Sequence, residues 1–229
     1  MEQLSNGFTL NTPPGTFPLS TDSVLLADFV KLTKNAKVLD LGAGCGTLGT
    51  FLCAKDDGCC ITGIELSEVA HAAALGNIEA NGLMPRMESI CADIRSVPQL
   101  QRNGSFDVCV SNPPYFSGGP ASKRTPDARR NDFCSSRELF AAASHALRYG
   151  GDFFLVHRPE MLAELCACAG SENLAPKRLR LIRHRVGGDV TLILLQCRKG
   201  GKPGLKWEEL CLFEADGTPT PYYRKLYHL

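Results

Sequence analysis

The segment Ser111-Asn112-Pro113-Pro114-Tyr115 holds the residues of this chain best suited to chemistry. The side-chain carbonyl of Asn112 and the backbone carbonyl of Pro113 are hydrogen-bond acceptors, and consecutive prolines stiffen the loop that holds them. An exocyclic amine has a delocalised lone pair, so acceptors on its N–H groups would turn that lone pair towards an electrophile. The Tyr115 ring offers a flat surface on which a base or a carboxamide can stack. The segment therefore predicts a loop that modifies an amino nitrogen, with Asn112, Pro113 and Tyr115 as its catalytic residues.

A glycine-rich turn follows the first strongly apolar run of the chain. Asp40 is followed by Gly42, Gly44 and Gly46, and such glycines let a backbone pass close to a ligand at the start of a helix. The run from Gly44 to Gly49 also satisfies the dinucleotide pattern G-x-G-x-x-G, with an acidic residue at the distance expected for a ribose contact. An NAD-binding oxidoreductase, or an inactive nucleotide-binding module, is therefore an alternative.

Asp40 favours a different ligand. Its carboxylate would repel a pyrophosphate, but it suits S-adenosylmethionine (SAM), which carries a sulfonium and an amino group and has no phosphate. Glu65 ends the second apolar run and can accept hydrogen bonds from ribose hydroxyls, while Asp93 follows the third and can accept from an adenine amino group. An ordinary helix-capping role explains Asp93 nearly as well. SAM is thus the predicted cofactor, bound by Asp40, Gly42, Gly44, Gly46, Glu65 and Asp93.

The elements that would position these residues alternate between strands and helices. Apolar runs predict the strands, while Ser67 as an N-cap and the capping-box spacing of Ser135 and Glu138 predict where two helices begin. This alternation predicts an α/β fold with a doubly wound, Rossmann-like sheet, mostly parallel, with an antiparallel hairpin at its edge. We expect strands over 37–42, 61–66, 86–91, 106–110, 153–157, 178–186 and 189–199, and helices over 68–80 and 135–147, the latter closed by Gly150-Gly151.

Length and composition fit one domain. The chain has 229 residues, 44% of them hydrophobic, which predicts a SAM-binding domain over 36–200, an N-terminal segment over 1–35 that closes over the cofactor, and a C-terminal tail over 201–229. The spacing of cysteines and histidines predicts no metal site. The first residues lack the pattern of a signal sequence, and no apolar run is long enough to span a membrane, so a cytoplasmic protein is expected.

Two motifs together carry a resemblance to a known class. Asp40-x-Gly-x-Gly followed by Asn112-Pro-Pro-Tyr115 resembles the class I SAM-dependent amino-methyltransferases. The chain is also similar, more narrowly, to the bacterial tRNA1(Val) (adenine-37-N6)-methyltransferase family. The similar segments are Phe17, Ser20–Ala27, Leu155–Glu160 and Lys199–Leu205.

This resemblance implies transfer of a methyl group from SAM to the exocyclic N6 of an adenine in tRNA. It implies that the turn from Asp40 to Gly46 lines the cofactor pocket, that Glu65 holds the ribose and Asp93 the cofactor adenine, and that Asn112 to Tyr115 hold the target base. Phe17 and Asp22 would close over the cofactor. The chain departs from the family pattern after the catalytic loop, where Ala-Arg-His-Glu is replaced by residues 128–131, Ala-Arg-Arg-Asn.

An RNA partner would need local basic clusters, because the formal net charge is only +1. Arg129 and Arg130 lie in a long loop over 116–134. A second group of arginines alternates along one expected strand, and we predict that its members share a face as a phosphate track. A solvent-exposed sheet edge, whose charges prevent pairing with another strand, is an equally good interpretation. The second group consists of Arg178, Arg180, Arg183 and Arg185.

A protein substrate is an alternative within the same class. The carboxamide of a glutamine fits the same loop, as in the glutamine N5-methyltransferases that act on a translation release factor. That family carries an additional N-terminal helical domain, whereas about 35 residues precede the first expected strand here. The sequence indicates no oligomeric state.

Overall fold

The computed structural model describes residues 2–4, 7–114 and 134–227 of the chain. Its strands and helices alternate through most of this length. The strands are β1 (Glu2–Gln3), β2 (Thr9–Leu10), β3 (Lys37–Leu41), β4 (Cys60–Glu65), β5 (Met87–Cys91), β6 (Phe106–Ser111), β7 (Leu147–His157), β8 (Leu174–Arg185), β9 (Val190–Lys199) and β10 (Lys206–Phe213). The helices are α1 (Thr21–Phe29), α2 (Thr47–Lys55), α3 (Glu68–Ala80), α4 (Val97–Leu100), α5 (Ser136–Ala146), α6 (Leu162–Ser171) and α7 (Pro221–Tyr227).

Eight strands form one sheet in the order β10-β8-β9-β7-β6-β3-β4-β5. Strand β9 runs antiparallel to β7 and β8, and every other neighbouring pair in this sheet is parallel. The chain order reverses beside β3, which pairs with β4 on one side and β6 on the other. The mostly parallel, doubly wound sheet predicted from the sequence is confirmed, and the loops after β3, β4, β5 and β6 meet at one edge.

Two hydrophobic cores cover the two faces of the sheet. Helices α1, α2 and α3 pack on one face, whereas α4, α5 and α6 pack on the other. Adjacent residues of β7 anchor both, because successive side chains of a strand point to opposite faces. Phe154 meets Phe29 of α1 with ring centroids 5.9 Å apart, and Phe153 meets Phe140 of α5 at 5.1 Å. Both contacts are edge-to-face, the arrangement that aromatic quadrupoles favour.

Helix α3, the capping box of α5 and, to within one residue, the end of α5 are confirmed, but the predicted closure of α5 by Gly150-Gly151 is wrong. The helix ends at Ala146, and β7 begins at the next residue, so Gly150-Gly151 lies inside the strand. A Cβ at Gly151 would lie 2.9 Å from the backbone oxygen of Asp107 on β6. Glycine at position 151 therefore serves the close approach of two strands at a β-bulge, and not the end of a helix.

The C-terminal segment contributes to the sheet. The predicted hairpin of β8 and β9 is present, but β10 pairs in parallel with the outer side of β8 and forms the sheet edge. The sequence analysis predicts a C-terminal tail over 201–229, whereas the structure places β10 and α7 there. Strand β10 lacks a clean alternation of apolar and polar residues because the first part of it, around Glu208 and Glu209, is exposed on both faces.

Nothing in the three described stretches is a helix both long and apolar enough to span a membrane.

Candidate active site

The glycine turn follows the carboxyl end of β3. Gly42, Gly44 and Gly46 have φ angles of 79°, 56° and 79°, a left-handed backbone that residues with a side chain rarely adopt. Gly46 is the N-cap residue of α2. A Cβ placed on Gly44 would meet no protein atom within 4 Å, so the space in front of the turn is open. The turn thus presents bare backbone to a ligand, as the sequence predicts.

Glu65 fixes the shape of this turn from the neighbouring strand. It ends β4, where its Oε2 accepts a hydrogen bond from the backbone N–H of Gly44 at 2.8 Å. Its Oε1 accepts another from the backbone N–H of Ser67, the N-cap of α3, at 2.7 Å. Because a carboxylate has about four lone-pair sites, both oxygens can still accept from a ribose. The structure therefore brings Glu65 to the position that the sequence predicts and adds a structural role.

Asp40 is a buried carboxylate at the centre of the site. Its residue is only 1% exposed, and its Oδ2 has no hydrogen-bond partner among the described residues. Burial, and secondly the negative charge of Glu65, raise the pKa of Asp40 to about 7, while the backbone of Gly49 acts in the opposite direction. An unpaired buried acceptor is costly, and a ligand that brings a positive charge or an N–H donor would remove that cost.

Asp93 lies beyond β5 at the same edge of the sheet, but it has a local partner. It is the N-cap of a short 3-10 helix, where Oδ1 accepts from the backbone N–H of Arg95 at 2.8 Å. Hydrogen bonds from the Arg95 side chain lower the pKa of Asp93. The capping role that the sequence offered as an alternative is thus present, and contact with a cofactor adenine stays a prediction.

The loop predicted to be catalytic begins where β6 ends, one strand away from Asp40. Ser111 Oγ donates to the backbone oxygen of Leu41 at 2.7 Å, which ties the end of β6 to the end of β3. The Asn112 Nδ2 group donates to Ser23 Oγ of α1 at 3.0 Å. This bond uses the amide nitrogen and leaves the side-chain carbonyl of Asn112 available as an acceptor.

The contact of Ser23 with Asn112 is one that sequence reasoning missed, and Ser111, which the sequence places in the predicted loop without a role, ties β6 to β3. Ser23 is 89 positions from Asn112 in the chain, so no local pattern joins them. Tyr115, Arg129 and Arg130, which the sequence places in the catalytic loop and in the RNA-binding loop, lie outside the described residues.

The predicted shared face of the strand arginines is wrong. Arg178 lies over the Phe29 ring of α1 at 4.3 Å, and Arg180 on the same face pairs with Asp28 at 2.9 Å and with Glu208 at 2.7 Å. Arg183 instead pairs with the next residue of β10, Glu209, at 3.2 Å.

The physical reason is the two-residue period of a strand, since positions 178 and 183 differ by an odd number and point to opposite faces. Acidic partners also neutralise the guanidinium charges of Arg180 and Arg183, so β8 does not present the continuous phosphate track that the alternation predicts.

Comparison with known proteins decides the class. The sequence model of the methyltransferase small domain matches residues 8–166, more than half of the chain. The chain belongs to this methyltransferase family. The alternative of an NAD-binding oxidoreductase is therefore set aside and SAM is the cofactor, while its binding at the glycine turn stays a prediction. The orphaned acceptor of Asp40 fits the cationic groups of SAM, and Glu65 beside it fits the ribose.

Curated relatives of this methyltransferase are named tRNA1(Val) (adenine(37)-N6)-methyltransferase. The protein from Shewanella halifaxensis is 35% identical over 159 residues, which cover 69% of this chain and 64% of the relative. The protein from Aeromonas hydrophila is 30% identical over 212 residues, 91% of this chain and 87% of the relative. The chain thus spans just under two thirds of the first relative and most of the second.

Solved structures share the fold. The crystal structure of a predicted O-methyltransferase from Agrobacterium tumefaciens is 25% identical with a TM-score of 0.76, covering 91% of this chain and 96% of that one. Geranyl diphosphate C-methyltransferase from Streptomyces coelicolor, at 11% identity and a TM-score of 0.58, covers 77% and 76%. The second likeness shows the fold alone.

The buried carboxyl of Asp40 predicts a stability that depends on pH in the ligand-free methyltransferase. Its pKa in the fold, about 7, exceeds the ordinary value of 3.8, so stability is lost as pH rises from about 4 through about 7. Asp40→Asn, which cannot ionise, should therefore raise the free energy of unfolding at pH 8 by about 2–4 kcal/mol and change it little at pH 4. Urea unfolding at both pH values measures this. The exposed Asp57→Asn is the control, and equal pH dependence in wild type and Asp40→Asn would contradict the assignment.

Proposed function

We propose that this chain transfers the methyl group of SAM to the exocyclic N6 of an adenine in tRNA, at a position like adenine 37 of tRNA1(Val). The choice of an amine acceptor rests on Asn112, whose amide is oriented by Ser23 one strand away from Asp40. The choice of tRNA rests on the names of the curated relatives, one of which aligns with 91% of the chain. Those names favour tRNA over the glutamine of a protein.

The residues of the loop account for how an amine becomes a nucleophile. SAM supplies an electrophilic methyl carbon when it is bound. The carbonyl of Asn112 and the backbone carbonyl of Pro113 accept the two N–H groups of the amine, so its lone pair turns out of the ring plane. The proton leaves after the new N–C bond forms, so no strong base is required. An oxygen acceptor would need a base to remove its proton, which the Asn112 amide does not provide.

Mass spectrometry of nucleosides tests the reaction itself. Incubation of tRNA with the enzyme and SAM should produce N6-methyladenosine, and digestion of the product should place it at a single adenine. An Asn112→Ala enzyme serves as the matched control. Methylation of a glutamine in a release factor, with none in tRNA, would contradict the proposal.

The role of Asn112 predicts a loss in the chemical step. Asn112→Ala should lower kcat at least about a hundredfold, because a preorganised polar group aimed at the transition state is worth that much. SAM affinity should stay within about twofold, since the amide faces the acceptor. Ser23→Ala should cost only about fivefold in kcat, the scale of one hydrogen bond. Single-turnover assays at saturating SAM measure these rates, and a fully active Asn112→Ala enzyme would refute the mechanism.

We also propose that the N-terminal segment forms a wall of the cofactor site. Asn77 of α3 accepts from the backbone N–H of Asn11 at 2.8 Å and donates to the carbonyls of Asn11 at 3.0 Å and of Cys45 at 2.9 Å. Asn81 binds both backbone groups of Thr9 at 2.8 Å. These two side chains act like a strand partner for the segment, and Cys45 belongs to the glycine turn. The segment and the turn are thus held by the same helix.

Loosening this attachment should weaken cofactor binding. Asn81→Ala removes both hydrogen bonds to Thr9 and should raise the Kd for SAM by about tenfold, since each bond contributes about 1 kcal/mol. Glu79→Ala, on the exposed side of the same helix, should leave the Kd unchanged. Calorimetry with SAM measures both. Equal affinity of wild type and a folded Asn81→Ala protein would remove the segment from the cofactor site.

Arg129 and Arg130 stay predicted phosphate contacts, because basic residues in a loop beyond the catalytic segment suit a polyanion. Arg178, which pairs with Glu208 at 3.7 Å, Arg180 and Arg183 are better explained by their ion pairs, so RNA binding is proposed for the loop and not for β8.

A further inference from the structure

A cavity of about 620 Å³ lies beyond the carboxyl end of β7. Its walls come from the first turn of α1, the hairpin of β8 and β9, the end of β10 and α7. Asp22, which the resemblance implies closes over the cofactor, is among the lining residues, whereas Asp40, Glu65, Asp93 and Asn112 are not. The volume falls in the usual range for a small-ligand site, about 300–1,000 Å³, so it can hold a nucleobase with its sugar.

The cavity adjoins the catalytic loop. Ser111, the residue before Asn112, pairs in register with Leu155 of β7, and Arg158 of the cavity follows three residues later. Neighbouring strands lie about 4.8 Å apart and a strand rises about 3.3 Å per residue, so Arg158 lies about one strand spacing across from Ser111 and about 10 Å further along. Helix α1 links the two places, because Asp22 lines the cavity while Ser23 holds Asn112.

Aromatic rings form one wall of the cavity. The Phe213 ring lies 4.9 Å from the His184 ring and 4.8 Å from the Tyr223 ring, and all three residues line the space. Tyr223 in turn stacks on Tyr227 at 4.5 Å. The floor is aliphatic and includes Leu192. Such a wall suits a flat, uncharged partner, because every nucleobase has a face that can stack on an aromatic ring.

The polar groups distinguish a base from a phosphate. The acidic residues Asp22 and Glu160, the basic Arg158 and the hydroxyl-bearing Thr191 are among the lining residues. Two carboxylates disfavour a phosphate inside the cavity by like-charge repulsion. Carboxylates can accept hydrogen bonds from the amino and imino groups on the edge of a base, and a hydroxyl can donate one to an acceptor on that edge. This mixture fits a base that enters while its phosphates stay outside.

We infer that this cavity binds an unpaired nucleobase of the RNA substrate that is adjacent to the methylated adenine, stacked on Tyr223 and Phe213. The inference rests on the proposed function and adds a second base-binding subsite to it. Recognition of the neighbouring base then comes from β10 and α7, outside the residues 8–166 matched by the family model.

Binding measurements on altered RNA test this subsite without relying on methyl transfer. Fluorescence anisotropy would follow a tRNA1(Val) transcript and two further transcripts with an abasic residue immediately before or after the target adenine. Wild type should lose about tenfold in affinity for one of the abasic transcripts, the usual scale of one stacked base. Tyr223→Leu should lose about tenfold on the intact transcript and nothing more on that abasic one, because the same stacking is already absent.

Two further variants separate a local effect from a loss of folding. His184→Ala changes an exposed residue and should weaken binding of the intact transcript in the same direction. Tyr149→Leu alters a 74% exposed ring near the opposite end of β7 and should leave RNA affinity unchanged. SAM affinity should be equal in all variants.

Wild-type affinity for the intact transcript in both cavity variants would overturn the subsite, as would equal abasic losses in wild type and Tyr223→Leu. Failure of wild type to methylate or bind any tRNA would instead overturn the proposed function. The two failures are therefore distinguishable.

Discussion

The burial of Asp40 is the constraint around which the site is organised. Asp40 lies almost fully buried one residue before the end of β3, and the left-handed glycines that follow it turn the backbone sharply. Glu65 then fixes the turn through Gly44 and adds a second negative charge nearby. The ligand-free fold is destabilised by this arrangement, and the binding of a cation recovers the loss. Stability is thus lower at the place where we propose that the cofactor binds.

The sequence predicts the glycine turn and the place of Glu65 well because their signals are local. A strand, a carboxylate and glycines within seven residues determine the turn, and Glu65 follows from the end of the next strand. The parallel order of the sheet follows from the alternation of elements. The predicted closure of α5 by Gly150-Gly151 is wrong because a glycine pair is typical both of a helix end and of a strand closely approached by its neighbour. Only the packing against Asp107 distinguishes the two.

The contacts that orient Asn112 could not be predicted, because they join residues that are remote in sequence. Ser23 reaches Asn112 across 89 positions. The spacing of the β8 arginines predicts a basic face, because the sequence does not reveal their acidic partners on α1 and β10. One of these partners, Asp28, lies 152 positions from Arg180. Strand β10 itself escapes detection because an exposed edge strand needs little apolar patterning. Charge and hydroxyl pairs of this kind have no period, so pattern analysis does not find them.

Helix α1 connects parts of the molecule that are otherwise far apart. Near its start, Ser23 holds the Asn112 amide, and near its end Asp28 holds Arg180 and the hydroxyl of Tyr222 at 2.9 Å. The position of α1 is therefore shared between the catalytic loop and the C-terminal helix. Substitutions in the C-terminal region are therefore constrained, although no residue there is assigned contact with a reacting atom. The reason is that a shift of α1 would misalign the Asn112 amide. A substitution in the C-terminal region should accordingly change RNA preference and catalytic rate together.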